Sequence, residues 1–358
     1  MFIWRDGAIF ALPMPRAPAQ VMAMEIRKVQ ITGGSSYVVS LPKEWARSLN
    51  IRKNDPLGLI AQSDGTLLIT PNITSEAAQR VKIFDASAIG DPEFFFRCLV
   101  GAYIMGYTAV TITAPGRIPP RMRMVVLDFT RMVIGQEVTE ENDTTITIRD
   151  LINPAEMTFE STLRRMHILA RGMHEDIISA LKMKSRALAK DATARDRDLD
   201  RLHWLIARQY HLIQNDGNLA RRMQVTVADA ACYALVSRII ERIGDHAVNT
   251  ATTILPLLDS DLNPDLFGDL ESVSAEALTI FDATISAMIE RDIRGADANI
   301  RSITGLAARY DAIAHSIPLQ SGSVALAAGS IVESIRRLGE CSKEISKCTI
   351  NWLIAGEA

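Results

Sequence analysis

The strongest constraint in this sequence is a helical repeat of apolar residues that fills the chain after residue 158. From Phe159 to Leu181 an apolar residue recurs every three or four positions, which places one continuous stripe along a long helix. The same spacing predicts five further helices, over residues 193–214, 225–255, 270–292, 296–317 and 324–354. We therefore predict an all-α region made of two tandem three-helix bundles, at 154–256 and 268–356.

Smaller segments that contain strands precede these helices. β-branched runs and Gly turns predict a β-rich module at 24–72, with a short helix after Pro42 and a hairpin across Ser63-Asp64-Gly65. Residues 78–153 follow the order β-α-β-α-β-β, which predicts a small α/β domain with its helices on one face. Residues 1–23 are rich in Pro and predict a disordered arm or a mis-assigned start. The expected fold class is multidomain α+β.

Composition limits the classes of function. A length of 358 residues fits two or three domains at about 150 residues each. The net charge of −3 excludes a protein that coats nucleic acid with its whole surface. The four cysteines include no CxxC pair, which fits a reducing cytoplasm, and no unbroken apolar run reaches the roughly 18 residues of a membrane helix. No catalytic arrangement of side chains is recognisable, so we do not expect an enzyme. The lack of a long apolar run leads us to expect no membrane insertion.

The middle α/β segment carries no functional motif. It has no phosphate-binding Gly loop and no nucleophile elbow. Its expected role is that of a spacer and dimer contact, and binding of a small effector is the alternative.

The β-rich module is more basic than the chain as a whole. Residues 24–56 include six basic and three acidic residues, which gives this segment a net charge of +3. Such a surface suits contact with the phosphates of a duplex, although a small solvated domain has similar charges. Because so short a module has few large apolar side chains, we expect it to bury its strands against a second copy. The candidates for DNA contact are Arg27, Lys28, Lys43, Arg47, Arg52 and Lys53.

The order of features in this module is similar to a known domain. RKVQITGGSSYVVSLPKEWARSLNIRKNDPLGLIAQSDGTLLITPN resembles the SpoVT/AbrB-like DNA-binding domain in its Gly turn, SLPKEW box and final Asp-Gly hairpin. The resemblance implies a swapped-hairpin β-barrel homodimer that binds DNA through the basic residues named above. It also leaves open an antitoxin-like role, in which the barrel holds a toxin partner. Asn54 stands where the family usually has Gly, a mild departure because Asn tolerates a left-handed backbone.

Two pairs of acids lie at helical spacing in the first three-helix bundle. Asp196 and Asp200 are four residues apart, as are Glu241 and Asp245, so each pair projects from one helix face. Like charges at that spacing repel, whereas a hard cation between them would reverse the sign. The alternative is a solvent face neutralised by neighbouring arginines. Gly244 costs about 1 kcal/mol within a helix, so we expect another helix or an ion to come close there.

The same region resembles a second family. ERIGDHAVNTA at 241–251 is similar to the signature of PhoU phosphate-signalling proteins, and DRDLDRL at 196–202 to their second-helix box. The resemblance covers residues 159–354 and implies tandem three-helix bundles that bind metal and modulate phosphate uptake. It makes Asp196, Asp200, Glu241 and Asp245 the candidate ligands of a divalent or trivalent metal ion.

The second bundle departs from this pattern. Its helices place Arg301 and Arg336 where acids are expected, beside Asp297 and Glu340. An arginine at that distance repels a cation, so at most one intact metal site per chain is predicted.

Together the two resemblances predict a cytoplasmic, DNA-binding regulator of phosphate uptake whose helical region senses metal, phosphate status or a partner. One alternative is an accessory negative regulator that contacts a phosphate ABC transporter or its signalling partner and uses the N-terminal module to dimerise. A metal-dependent hydrolase built on the acidic pairs is a further alternative.

Overall fold

Two compact units, residues 1–76 and 77–358, divide the chain in the computed structural model. The structure describes residues 25–61, 65–71, 80–259, 263–317 and 322–356. The predicted N-terminal arm and most of the predicted Ser63-Asp64-Gly65 turn lie outside these residues.

The first unit contains two hairpins and one short helix. Strand β1 (Gln30–Thr32) pairs antiparallel with β2 (Ser36–Val38), and the turn between them places Gly33 and Gly34 at φ of +64° and +83°. Helix α1 (Lys43–Ser48) follows. Strand β3 (Gly58–Ala61) then pairs with β4 (Leu67–Thr70). The two sheets are separate, and no closed barrel forms among the described residues of one chain.

These hairpins have no core of their own. No described residue between 25 and 71 is buried, and Ile31, Tyr37 and Leu59 are 65%, 78% and 64% exposed. A two-stranded hairpin with an exposed apolar face is at best marginally stable in water. The module therefore needs an apolar partner surface.

The second unit begins with an α/β segment (residues 80–150). Its sheet has the order β5-β6-β8-β7, with β5 parallel to β6 and the other neighbours antiparallel. Helices α3 and α4 supply Phe95, Leu99 and Phe129 to a core that is completed by Ile112 and Ile148 from the sheet. The predicted order of elements along the chain, β-α-β-α-β-β, is confirmed, with one extra short helix. The elements are β5 (Val81–Asp85), α2 (Ala86–Ile89), α3 (Pro92–Ile104), β6 (Ala109–Thr113), α4 (Pro120–Met132), β7 (Gln136–Glu141) and β8 (Thr145–Asp150).

Seven α-helices and two short 3-10 helices lie in the described residues of the rest of the unit, which confirms an all-α C-terminal region. Helices α5, α6 and α8 pack pairwise as a first set, and α9, α10 and α11 pack pairwise as a second set. The helices are α5 (Phe159–Met183), α6 (Arg186–Asn215), α7 (Gly217–Arg222), α8 (Val227–Ile254), α9 (Pro264–Ile289), α10 (Ile293–Ser316) and α11 (Gly322–Ala355).

Two helix starts differ from the sequence expectation by more than three residues, and one helix is extra. Helix α9 begins at Pro264 instead of residue 270, because the Asn263 side chain caps it by accepting hydrogen bonds from the Asp265 and Leu266 amides. Helix α6 begins at Arg186 instead of residue 193, because the Ser185 side chain caps it by accepting a hydrogen bond from the Leu188 amide. Helix α7 was not expected. It starts directly after Asp216, which ends α6. The Asp216 side chain caps α7 by accepting a hydrogen bond from the Asn218 amide.

Both helix sets share one apolar core. Leu163 and Val236 from the first set and Phe281 and Ile335 from the second belong to the same buried cluster. The sets meet where α8 packs on α11 and α5 packs on α9.

Among the described residues, α9 is the one helix that passes a length and composition test for a membrane span. The expectation that no apolar stretch is long enough is therefore not met by length and composition alone, although Glu276 and Asp282 lie within this helix. Of its most apolar window, 56% is buried inside the fold, as in the core helix of a globular domain.

Candidate functional site

The six basic candidates of the N-terminal module are all exposed and lie on three local segments. Arg27 and Lys28 precede β1, Lys43 and Arg47 lie on α1, and Arg52 and Lys53 lie in the turn that follows α1. Within the described residues, no hydrogen bond or ion pair joins these six side chains to one another.

The loop after α1 is held in a defined shape. The Asp55 carboxylate accepts a hydrogen bond from the Arg52 amide at 2.7 Å. Asn54 adopts a φ of +73°, which confirms that this residue tolerates the left-handed backbone expected of the usual Gly. The loop therefore holds the backbone of Arg52 and Lys53 in place.

The four acids of the helical region lie on facing helices. Asp196 and Asp200 are on α6, Glu241 and Asp245 are on α8, and these two helices pack against each other. We call these four side chains the acidic face. These side chains lie close together, and the pKa values of Asp196, Asp200 and Glu241 are each raised by the charge of at least one other acid of this face.

The acidic face carries an electrostatic cost. Burial, and then the charges of Asp196 and Glu241, raise the pKa of Asp200 to about 8. Burial and the charge of Asp245 raise the pKa of Glu241 to about 7 and that of Asp196 to about 6. Burial also raises the pKa of Asp245, against the opposing charge of Arg238. Both causes disfavour the ionised carboxylates, so any positive charge placed among them is stabilised.

Two oxygens of this face are buried without a hydrogen-bond partner: Asp196 Oδ1 and Glu241 Oε2. The other Glu241 oxygen accepts a hydrogen bond from Arg238 Nη1 at 2.9 Å. Among the described contacts, Arg238 is the one neighbouring arginine that forms an ion pair with one of the four acids. The other arginines expected to neutralise this face are Arg197, Arg201 and Arg242; of these, Arg201 pairs with Asp198 and Arg242 with Glu344. An ordinary solvated surface would leave neither oxygen buried.

Gly244 brings α8 and α6 into contact beside these acids. A Cβ on Gly244 would approach Leu199 Cδ2 of α6 more closely than 3.0 Å and would lie 3.7 Å from Asp196 Oδ1. The expectation that another helix comes close at this glycine is confirmed, and the contact is made by a leucine.

The side chains are not already arranged as a ligand cluster. Within the described parts of the chain, no group of three or more His, Cys, Asp or Glu side chains is placed to hold a metal ion. The donor chemistry nevertheless fits a hard cation, because carboxylate oxygens are its preferred ligands and two of them lack any other partner. The metal site at Asp196, Asp200, Glu241 and Asp245 stays a prediction.

The second helix set neutralises its own acids. Arg301 pairs with Asp297, and Arg336 pairs with Glu340. Arg336 also donates to Glu333 at 2.7 Å. These ion pairs neutralise the named acids within the second set itself.

Sequence reasoning missed one buried polar centre. Arg208 of α6 is 2% exposed and donates to Asp150 Oδ2 at 2.5 Å and to the carbonyl oxygen of Tyr107 at 3.0 Å. It also donates to the carbonyl oxygen of Tyr103. The available signal was an arginine between apolar residues of the α6 stripe. Its partners lie more than fifty residues away, so spacing could not identify them.

Two family models match separate parts of the chain. Residues 163–254, which include the whole acidic face, match the PhoU domain. This part of the chain therefore resembles a PhoU domain. Residues 30–76 match a second model, described as "Antidote-toxin recognition MazE, bacterial antitoxin". The expected union of a PhoU-like region with an AbrB/MazE-like N-terminal domain is therefore confirmed.

Two solved structures resemble part of the chain. One is the crystal structure of PhoU from Pseudomonas aeruginosa, which is 17% identical, covers 55% of this chain and 96% of its own, and gives a TM-score of 0.47. The other is the phosphate transport system regulatory protein PhoU from Streptococcus pneumoniae, at 16% identity, 55% and 94% coverage, and a TM-score of 0.47. No curated protein matches the chain.

Proposed function

We propose that this protein is a cytoplasmic, DNA-binding regulator of phosphate uptake whose PhoU domain responds to a bound cation. The observation that carries the proposal is the presence of both domain matches, at 30–76 and 163–254, in one chain. One domain supplies a surface for a regulatory target and the other supplies a candidate sensor. The protein would act by binding, without catalysis.

The N-terminal end of the proposal depends on pairing. The apolar side chains of the two hairpins lack a core in one chain, so a second copy is the natural partner for them. Two copies would close the swapped-hairpin barrel and present twelve exposed basic side chains instead of six. Contacts of this kind with phosphates supply most of the affinity for DNA of any sequence.

The PhoU end of the proposal is a cation site at the acidic face. A divalent or trivalent cation would supply positive charge, and Asp196, Asp200, Glu241 and Asp245 would hold it. The support is the pair of buried, unpartnered oxygens, Asp196 Oδ1 and Glu241 Oε2, together with the raised pKa values of these acids. Arg238 would keep part of the charge balanced when no cation is bound.

DNA binding is tested on the full-length protein with a labelled duplex in fluorescence anisotropy. We expect affinity to fall steeply with salt, and each lost phosphate contact to reduce the slope of log K against log[salt] by about 0.9. Lys28→Gln and Arg52→Gln should each flatten the slope. Arg131→Gln is the matched control, because this exposed arginine lies outside the module. Equal slopes for all three variants and the unaltered protein would contradict DNA contact through the module.

Cation binding is tested by calorimetry with Mn²⁺ on metal-free protein. Asp200→Asn and Glu241→Gln should weaken binding strongly, because each removes a proposed ligand. Asp198→Asn is the control on the same helix, since Asp198 is exposed and its nearest partner is Arg201 at 3.6 Å. Retention of full Mn²⁺ affinity by both ligand variants would refute the site.

The alternative is an accessory negative regulator that acts by contact with a phosphate transporter and uses the module only to dimerise. The exposed apolar hairpins favour a dimeriser as much as a DNA-binding domain. Genome-wide DNA occupancy of the native protein at high and low phosphate separates the two. Specific occupancy near phosphate-uptake genes supports the regulator. Absence of such occupancy, together with a phosphate phenotype that needs only residues 77–358, supports the accessory role. Co-purification of a toxin-like protein with the module supports an antitoxin-like role.

A further inference from the structure

We propose that helix α6 transmits the charge state of the acidic face to the α/β segment, which is therefore a responding part of the PhoU-domain unit and more than a spacer. The inference rests on the proposed function for its cation, but its physical basis is the set of contacts that α6 makes at its two ends. One end carries Asp196 and Asp200, and the other is fixed to the α/β segment.

The fixed end begins with Trp204, one helical turn after Asp200. Its side chain packs against the apolar core of the α/β segment, with its ring centroid 6.5 Å from that of Phe96 on α3. Helices α3 and α6 are in contact around this pair. Trp204 is thus shared between the core of the segment and the helix that carries the acids.

Arg208, one turn further along α6, fixes the helix to two more places in the segment. Its guanidinium binds Asp150 of β8 and the carbonyl oxygens of Tyr103 and Tyr107, and it lies 4.7 Å from the centroid of the Tyr103 ring. Asp150 in turn accepts a hydrogen bond from Gln136 of β7 at 2.8 Å. Removal of one partner from a buried ion pair is strongly destabilising, so this joint should move as a body instead of sliding.

Gln209 adds a third fixed point, on the chain that leaves the sheet. Its Nε2 donates to the carbonyl oxygens of Pro154 at 2.8 Å and Met157 at 2.7 Å. The side chain is completely buried. From Trp204 to Gln209, consecutive turns of α6 therefore contact α3, β8 and the connection to α5.

The other end of α6 is where a force is generated. Asp196, Asp200, Glu241 and Asp245 lie on two helices that pack against each other, so their ionised carboxylates repel one another across this contact, and beside them Leu199 packs closely against Gly244. A cation or a neutral side chain would remove the repulsion and let the acids approach each other. Asp200 and Arg208 are eight residues apart, about 12 Å along a helix, so a shift at the acids reaches the joint with little loss. Interface helices commonly shift by about 1–2 Å in such transitions.

The experiment is hydrogen–deuterium exchange with mass spectrometry on the full-length protein, read at peptides from α3 and β8. Three states are compared at a pH above 8, so that the Asp200 carboxylate is ionised in the metal-free protein. They are metal-free protein, protein with added Mn²⁺, and metal-free Asp200→Asn, which lowers the repulsion without a cation. We expect Mn²⁺ and Asp200→Asn each to change exchange rates in α3 and β8 by about fivefold or more, the lower end of ordinary coupling. Mn²⁺ binding is measured by calorimetry on the same samples.

Variants at the joint show whether α6 is the carrier. Arg208→Lys keeps the positive charge but cannot bind three oxygens in the same plane, and Trp204→Phe keeps an apolar ring with less contact. Either variant that retains a cooperative thermal melt should bind Mn²⁺ and lose the response in α3 and β8. Arg197→Lys, at an exposed position of the same helix, should respond as the unaltered protein does.

Each outcome bears on one claim. If Mn²⁺ binds and exchange in α3 and β8 does not change, the linkage is wrong while the cation site stands. If Mn²⁺ does not bind, Asp200→Asn decides: a changed exchange rate in α3 and β8 supports the linkage and only the cation site fails, and an unchanged rate overturns the linkage. A full response in the folded joint variants also overturns it.

Discussion

The contact between Gly244 and Leu199 leads to a prediction whose sign opposes the usual rule for helices. Replacing a glycine inside a helix by alanine normally stabilises it by about 1 kcal/mol, because the unfolded chain loses conformational freedom. At Gly244 the added methyl group would lie closer than 3.0 Å to Leu199 Cδ2, and Leu199 is fully buried between α6 and α8. Such overpacking typically costs about 1–3 kcal/mol. We therefore expect Gly244→Ala to be destabilising by up to about 2 kcal/mol net.

Gly305 provides the matched control. It lies within α10, is exposed, and a Cβ there would meet no heavy atom within 4 Å. Gly305→Ala should therefore raise the free energy of unfolding by about 0.5–1 kcal/mol, as the intrinsic propensity alone dictates. Both variants are measured by urea denaturation of metal-free protein, with the slope m checked for constancy.

A double-mutant cycle identifies the cause. Leu199→Ala alone removes a buried leucine and should cost about 2–5 kcal/mol. In that background the methyl group that Gly244→Ala adds would enter the space that the leucine vacated, so this substitution should become neutral or stabilising. The coupling energy should exceed about 1 kcal/mol, as for residues in direct contact. Equal stabilisation by Gly244→Ala and Gly305→Ala, or a coupling energy near zero, would refute the reasoning.

Three further predictions follow from the same structure. The raised pKa values of Asp196, Asp200 and Glu241 mean that these three acids hold more protons in the folded state than in the unfolded state between about pH 4 and pH 8. They therefore lower stability as the pH rises, whereas the lowered pKa values of His174 and His203 act in the opposite sense. Metal-free Asp200→Asn should therefore gain melting temperature relative to the unaltered protein between pH 6 and pH 8, and Asp198→Asn should not; the same change in both variants would count against the acidic face. Arg208→Leu leaves the Asp150 carboxylate buried without its partner and should lower the free energy of unfolding by about 3–5 kcal/mol, whereas exposed Arg131→Leu should change it by less than about 0.5 kcal/mol in the same denaturant titration. Ile31→Asp should convert the protein from dimer to monomer in analytical ultracentrifugation if the N-terminal hairpins pair, and Leu151→Asp, at an equally exposed position of the second unit, should not.

Periodicity in the sequence is enough to predict most elements of the second unit. The stripe from Phe159 to Leu181 falls on one helix, and the predicted strand at residues 109–113 coincides with β6. These patterns are local and repeat within a few residues, so they survive without knowledge of the partner surface. The start of α6 was missed because its first two turns are mostly polar and small, and a side-chain cap, not an apolar stripe, fixes that end.

The candidate site also has one part that the sequence predicts and another part that it does not. Spacing of four residues was enough to pair Asp196 with Asp200 and Glu241 with Asp245, because each pair lies on one helix. The fact that the two pairs face each other depends on how α6 packs on α8, which sequence spacing does not encode. The joint at Arg208 could not be predicted for a similar reason: its partners are backbone carbonyls of α3 and the turn after it, and a backbone oxygen leaves no trace in the sequence.

The common apolar core of the two helix sets has a consequence for how the second set can change over time. Asp297 and Glu340 of this set form ion pairs with Arg301 and Arg336. This set therefore need not keep these acids as metal ligands. Its inward residues, among them Phe281 and Ile335, still form half of the interior that supports the ligand-bearing helices. The second set is therefore needed as a scaffold whether or not it binds a ligand, and shortening the chain to one set would expose the interior of the other to water.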